Sequence, residues 1–433
     1  MPNEPLTAAD LQSEIDARSW FLTPAAAGES QADSFLRLAI LNFDSDGPGK
    51  RAEAARQLAE QPDLPAADIA VAAAVADVPS VRRILEADPP AATRPTGPYG
   101  WSPLMYQAYA RLDAPIGRSA TIETTRLLIE AGADPNDGRF FLGLATPFTV
   151  LTGVFGSADE QRPAHPQAAG LGRTLLEFGA AANDAQTLYN RMFQPDDDHL
   201  RLLFEFGLGQ NDPPGVWHQL LGDALDSPAA MVGSVLSWAV THDQRERVAL
   251  LAEQGVDVSS PTVRVPWSRG STSTPIALAL TTGNAGVAAL LRDLGVPEAE
   301  LDGVDSCIAA LLAADAGAVE AIEAVHPGVL AATRERRPAL VVWAAGRGRS
   351  EVVELLVSKG FSVNALGRAD VAVDQPWQTA LHTAAGDGDA ELVQTLLTLG
   401  ADRALRDRRF DSTPLEWAEH FDHQQIIDVL KRE

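Results

Sequence analysis

Two stretches near the C-terminus share one sequence pattern. Residues 379–385 read TALHTAA, and residues 413–418, 34 positions further on, read TPLEWA. Residues 391–402 between them read ELVQTLLTLGAD, in which a valine and two leucines stand at positions i, i+3 and i+4. That spacing is typical of a helix with one buried stripe. The pattern therefore predicts a repeat unit of two short helices followed by a polar loop.

The residues at the ends of these elements fit the same interpretation. Thr379 and Thr413 are good N-cap residues, and Pro414 suits the first turn of a helix. Gly400 follows the second helix and can adopt the positive φ that commonly ends one. The alanines after each cap give a thin apolar face, which lets successive first helices approach closely.

The same order of elements recurs along most of the chain. A Thr/Ser-Pro or Pro-Ala start, a Leu-Leu or Val-Val stripe and a closing glycine are found in residues 102–137, 146–184, 274–295 and 338–364. Residues 236–258 have Leu250-Leu251 and the closing Gly255 without that start. Weaker copies occupy residues 67–88, 186–211 and 304–327. Several copies in one phase predict a repeat array rather than a single large core.

The pattern T-P-L-H-x-A-A, V-x-x-L-L, G-A-D resembles the ankyrin repeat. The resemblance implies an all-α fold, an α-solenoid of stacked helix-turn-helix repeats with short hairpin fingers. We expect about nine or ten units within residues 66–433, a capping helix pair at 33–65, and an N-terminal helix and linker at 1–32. His382 stands where ankyrin repeats have a structural histidine.

Composition excludes some classes of function. The formal net charge of -25 argues against direct nucleic-acid binding and against adsorption to anionic membranes. Only one cysteine is present, Cys307, and residues 1–20 contain acids where a signal peptide needs positive charge. We therefore expect a cytoplasmic monomer without a membrane span.

Ankyrin proteins bind partners through their fingers and the concave face of their first helices, so insertions on the finger side are candidate contacts. Residues 258–272 contain Trp267, and residues 365–377 contain Trp377. Tryptophan is enriched at interface hot spots. The alternative is that each ring packs back on its own finger.

Basic residues cluster in the C-terminal part of the chain. From Arg334 to Glu433 there are 13 Lys+Arg and 16 Asp+Glu, whereas the remainder carries 21 and 43. Seven arginines on the predicted finger side form a candidate patch for an acidic partner: Arg334, Arg336, Arg337, Arg403, Arg406, Arg408 and Arg409. Ordinary solubility charges are the competing interpretation.

Three consecutive units have a lengthened or acidic turn between their helices, at residues 111–120, 156–170 and 194–199. Near the first two, four residues suggest a small-molecule pocket, although core packing is the favoured interpretation: Trp101, Tyr106, Tyr109 and Arg111. No catalytic constellation, cofactor motif or metal-ligand set stands out in the sequence.

The sequence thus favours a scaffold that binds a protein of unknown identity. One alternative is an atypical ankyrin-fold enzyme or small-molecule binder with a pocket near residues 99–111 and 156–170. Another is an acidic decoy of a nucleic-acid-binding protein.

Overall fold

The structure is a computed structural model, and it describes residues 8–20, 24–112, 117–143, 146–260, 263–264, 272–371 and 375–432. Within these ranges the chain is mostly helical, with 26 α-helices and five short strands, as the repeat pattern predicts. The chain divides into two compact units, Met1–Val235 and Leu236–Glu433. None of the helices in the described ranges combines the length and apolar character needed to cross a bilayer.

Helices of the first unit alternate between short and longer ones from residue 69 onward. The short helices α5, α7, α9 and α11 contact one another in succession, and so do the longer helices α6, α8, α10 and α12. The bounds are α1 Ala8–Ala17, α2 Gln31–Ala39, α3 Pro48–Glu60, α4 Leu64–Ala67, α5 Ile69–Ala74, α6 Val78–Ala87, α7 Pro103–Tyr109, α8 Arg118–Glu130, α9 Val150–Phe155, α10 Ala168–Glu177, α11 Ala185–Arg191, α12 Asp198–Glu205, α13 Val216–Leu221 and the first part of α14 Pro228–Thr241.

Three short strands form a sheet in the first unit. β2 (Gly138–Phe141) and β3 (Pro147–Thr149) make an antiparallel hairpin, and β1 (Ser19–Trp20) pairs with β2 in parallel. A Cβ at Gly138 would lie 2.8 Å from the Trp217 ring, so only glycine fits there without a shift.

The second unit consists mainly of pairs of consecutive short helices in contact, with one additional helix. α20 packs on α18 and α19, and it precedes the short helix α21. The bounds are the last part of α14, α15 Arg245–Glu253, α16 Pro275–Thr282, α17 Ala285–Asp293, α18 Gly303–Leu312, α19 Ala316–Val325, α20 Val329–Arg336, α21 Leu340–Ala345, α22 Ser350–Ser358, α23 Ala380–Asp387, α24 Ala390–Thr398, α25 Pro414–His420 and α26 Gln424–Lys431. Strands β4 (Val263–Arg264) and β5 (Thr272–Ser273) form a two-stranded ladder.

Two histidines join neighbouring helix pairs of the second unit. His382 is fully buried, with Nε2 2.9 Å from Ser412 O and Nδ1 2.7 Å from Thr379 Oγ1. Burial lowers the pKa of His382, so the neutral ring donates from Nε2 and accepts at Nδ1. His423 Nε2 lies 3.0 Å from Gly386 O in the same manner. Both contacts link residues more than 29 positions apart in sequence.

The apolar stripe of α24 lies in the core of the second unit. Leu392, Val393 and Leu396 are at most 1% exposed, and they belong to one cluster with Ile426 and Leu430 of α26. Two members of the predicted i, i+3, i+4 stripe, Val393 and Leu396, are thus buried. The third, Leu397, is only partly buried, and Leu392 completes the buried face instead.

Replacing Leu396 by alanine is expected to reduce the free energy of unfolding by about 2–5 kcal/mol, because the site is closed on all sides and leaves a cavity. Urea denaturation measures the loss. Leu294→Ala is the matched control, since Leu294 is 45% exposed. Equal midpoints for both variants would contradict the assignment of the stripe.

Candidate functional site

One buried carboxylate organises the loop between α24 and α25. Asp407 is 3% exposed, and its Oδ1 accepts hydrogen bonds from the backbone N–H groups of Arg409 and Phe410, each at 2.7 Å. Its Oδ2 accepts from Ser412 N at 3.0 Å and from Trp417 Nε1 at 3.1 Å. Burial by itself raises the pKa of this carboxyl, but the hydrogen bonds outweigh burial and hold the pKa below its ordinary value.

The closed turn around Asp407 directs three side chains to solvent. Arg408, Arg409 and Phe410 are all exposed, and Phe410 has 59% of its surface accessible. In the described part of the chain, neither Arg408 nor Arg409 has an ion pair or a side-chain hydrogen bond. Both charges are therefore available to a ligand.

Trp377 lies against this loop. Its carbonyl accepts a hydrogen bond from Arg408 N at 2.8 Å. The guanidinium carbons of Arg409 and Arg368 each lie 4.5 Å from the centroid of its ring, which is within cation–π range. The residue predicted as a partner contact is thus half-buried and held by two arginines.

Aromatic rings continue from Trp377 toward the last helix pair. The Phe410 ring is 6.4 Å from that of Trp377 and 6.3 Å from that of Trp417. Phe410, Trp417, His420 and Phe421 line an open groove of about 370 Å³. We call this region the C-terminal loop surface and define it by Trp377, Arg408, Arg409, Phe410, Trp417 and Phe421.

The other two arginines of the loop have partners. Arg403 donates from Nη1 to Arg432 O, and Arg406 donates to Asp411 O. Arg406 also lies 3.4 Å from the carboxylate of Glu416. These two side chains flank the C-terminal loop surface but are already engaged.

The remaining predicted contacts do not join this surface. The sequence placed Arg334, Arg336 and Arg337 on a finger, whereas the structure places them at the end of α20 and directly after it. Arg334 donates to Lys359 O at 2.8 Å, and Arg336 pairs with Asp302 and Asp305. Arg337 is 2% exposed, which leaves no guanidinium surface for a partner. Trp267 lies outside the described residues.

The aromatic cluster of the first unit is packed core. Trp101, Tyr106 and Tyr109 are fully buried, and the Trp101 ring is 5.4 Å from Tyr106 and 5.0 Å from Tyr109. The two hydroxyl groups donate to Thr96 O and Thr149 O, each at 2.9 Å. These rings fill space rather than line a cavity for a ligand.

Arg111, the fourth residue of that predicted pocket, ties the 156–170 insertion to the core. Its guanidinium donates to the carbonyls of Ala108, Ala110, Gly153 and Pro163, at 2.6–3.1 Å. Burial lowers its pKa to about 9. The cation therefore binds backbone oxygens and has no room for a ligand.

No group of three or more His, Cys, Asp or Glu side chains suited to a metal ion occurs in the described ranges.

Sequence reasoning missed several members of the C-terminal loop surface. Phe410, Trp417, Phe421 and the supporting Arg368 were not singled out. The one available signal was Phe410 itself, a large apolar residue within the charged stretch RDRRFD. Trp417 and Phe421 were not recognised because they belong to a predicted helix, and apolar residues of such a helix are ordinarily assigned to the core.

Comparison with known proteins identifies one segment. Residues 377–408 match the family model of the ankyrin repeat. This segment begins at Trp377 and ends at Arg408, so it contains α23, α24 and part of the C-terminal loop surface. A search of the curated proteins finds no match to the chain.

Replacing Asp407 by asparagine is expected to cost about 1–3 kcal/mol of unfolding free energy at pH 7, because an amide nitrogen would then face two N–H donors. A carboxyl with a lowered folded-state pKa stabilises above its unfolded-state pKa. That contribution disappears as pH falls through the folded-state pKa. Urea melts from pH 7 to pH 2 should therefore converge at the acid end.

Asp411→Asn is the control, since it removes the same charge from an exposed neighbour whose φ of 52° asparagine tolerates. An equal loss in both variants would show that charge, and not the hydrogen-bonded turn, is what matters.

Proposed function

We propose that this chain is an ankyrin-type scaffold that binds another protein, with the C-terminal loop surface as its docking site. The ankyrin match at residues 377–408 supports the repeat interpretation of the neighbouring helix pairs, and hence an α-solenoid of such units. The observation that carries the proposal is the exposed Phe410 ring between two half-buried tryptophans, Trp377 and Trp417, beside two arginines without an ion pair.

The composition of this surface is typical of an interaction hot spot. Tryptophan and arginine dominate measured hot spots, and aromatic rings contribute large contact area at little entropic cost. Phe410 and Phe421 expose 59% and 51% of their surfaces, and both line the same groove, so they form a contiguous apolar patch. Covering them releases apolar surface from water and stabilises the complex.

The proposed partner offers an acidic segment with an apolar side chain. The apolar side chain enters the groove between Phe410 and Phe421, while carboxylates or phosphates meet Arg408 and Arg409. The chain as a whole is strongly acidic, so an acidic segment of a partner meets less repulsion at this surface than over most of the molecule. We place the encounter in the cytoplasm, on the basis of the single cysteine, and expect the chain to act as a monomer.

Replacing both Arg408 and Arg409 by glutamate is expected to weaken binding of an acidic peptide about tenfold at low salt, chiefly through a slower on-rate. The probe is a peptide selected on the wild-type chain from a random display library, labelled with fluorescein. Stopped-flow fluorescence at about 50 and 500 mM salt measures both rates, and the difference from wild type should shrink at high salt.

Arg126→Glu with Arg245→Glu is the matched control, because both arginines are exposed and the charge change is the same. Equal weakening by the control pair, or library peptides without an acidic bias, would argue against this docking site.

Phe410→Ala is expected to weaken the same peptide by at least about 2 kcal/mol while leaving stability nearly unchanged, because the ring is exposed in the free protein. Isothermal titration calorimetry gives the affinity and a urea melt gives the stability. Val325→Ala removes an apolar side chain that is 72% exposed elsewhere in the same unit. A Phe410 variant that binds as tightly as the Val325 variant would remove the groove from the docking site.

A further inference from the structure

A second open cavity lies in the first unit, on the side of the lengthened turns. Its volume is about 370 Å³, within the range of small-ligand sites. Ala164 belongs to the 156–170 insertion, and Ala168 and Ala169 begin α10; these small side chains form one wall. Phe155 at the end of α9 supplies an apolar floor.

Arginines from four different helices line this cavity. They are Arg118 of α8, Arg173 of α10, Arg191 of α11 and Arg201 of α12. Such convergence is unusual in a chain with a net charge of -25, because a random surface patch here would be acidic. His199 of α12 lies beside them, buried against the Phe155 ring.

Two of the four arginines have an ion pair. Arg173 lies 2.7 Å from Glu205, and Arg191 lies 2.6 Å from Asp196. The Arg191 side chain is only 3% exposed, and its buried Nε–H has no hydrogen-bond partner in the described part of the chain. A buried guanidinium donor left unsatisfied is costly unless something binds it.

Arg118 and Arg201 have no ion pair and no side-chain hydrogen bond among the described residues. Of the three carboxylates that line the cavity, Asp196 and Glu205 are already paired, which leaves Asp198. The unpaired lining groups therefore sum to a positive charge.

We propose that this cavity binds a small organic anion through a phosphate or carboxylate group. Arg118 of α8 and Arg201 of α12 supply charge and forked N–H donors, and Arg191 offers its remaining Nε–H. The apolar part of the ligand packs on Phe155 and the three alanines. The site is independent of the C-terminal loop surface.

The wall of the site is held by contacts on both sides of the insertion. Pro163 O accepts the hydrogen bond from buried Arg111, and Arg162 pairs with Asp46 at 3.1 Å. His165 is 4% exposed, and its Nδ1 accepts from Gln167 N at 3.0 Å. A preorganised wall reduces the entropy cost of binding. We therefore assign the 156–170 insertion the role of forming one wall of this binding site.

The test uses the full chain with inorganic phosphate and, separately, succinate as probes, each titrated by calorimetry at about 50 mM salt. We expect saturable binding of at least one probe at one site. Phosphate binding alone indicates a phosphorylated ligand, and succinate binding alone indicates a carboxylic acid.

Two variants test the location. Arg201→Gln should weaken the bound probe about tenfold, because one charge-assisted contact is lost. Ala169→Phe keeps every charge but fills the cavity, and it should abolish binding. Arg126→Gln, on an exposed position of α8 outside the cavity, should bind as the wild type does.

Melting curves confirm that each variant is folded before titration. Absence of saturable binding for both probes would overturn the proposal. So would equal affinities for the wild type, Arg201→Gln and Ala169→Phe, since the anion would then bind elsewhere on the surface.

Discussion

The structure depends on one constraint, which is that a pair of short helices cannot bury its own apolar faces. Each helix of six to ten residues is too short to be stable alone, so its stripe must pack against the helices on either side. Small residues make this possible: Ala384 and Ala385 of α23 are at most 1% exposed, and α25 lies directly against that helix. Polar residues are thereby forced into the loops, where binding sites arise.

Two buried charges shape those loops in complementary ways. Asp407 collects backbone and indole N–H donors, which closes a turn and leaves Arg408, Arg409 and Phe410 exposed. Arg111 instead collects backbone carbonyls, which pulls the 156–170 insertion onto the core. Neither charged group is hydrogen-bonded to a group of opposite charge. In both cases the charge is stabilised by oriented backbone dipoles. The turn around Asp407 exposes side chains to a partner, whereas the contacts of Arg111 fix the insertion that borders the cavity of the first unit.

The shape of each proposed site and the arrangement of its charges determine which kind of ligand it suits. The C-terminal loop surface is an open aromatic groove beside two arginines without an ion pair, so it fits a segment of another protein. The cavity of the first unit is concave, and its cations come from four helices, so it fits a compact anion. Both stand out electrostatically because the remainder of the chain is acidic.

The sequence by itself determined the repeat, the helix ends and the buried stripes. Capping threonines and the Leu396 stripe are local or periodic signals, and each depends on residues whose spacing is fixed by helix geometry. The structural role of His382 was implied by the resemblance to the ankyrin repeat. Only the tertiary structure decided which loop residues meet. It stacks Arg368 and Arg409 on Trp377, buries Arg337, fills the space among Trp101, Tyr106 and Tyr109, and gathers four arginines around one cavity. Loop conformation is set by specific hydrogen bonds that follow no repeat. Those of Asp407 close a turn within its own loop, and those of Arg111 reach Gly153 and Pro163 far along the chain. Neither set leaves a period in the sequence.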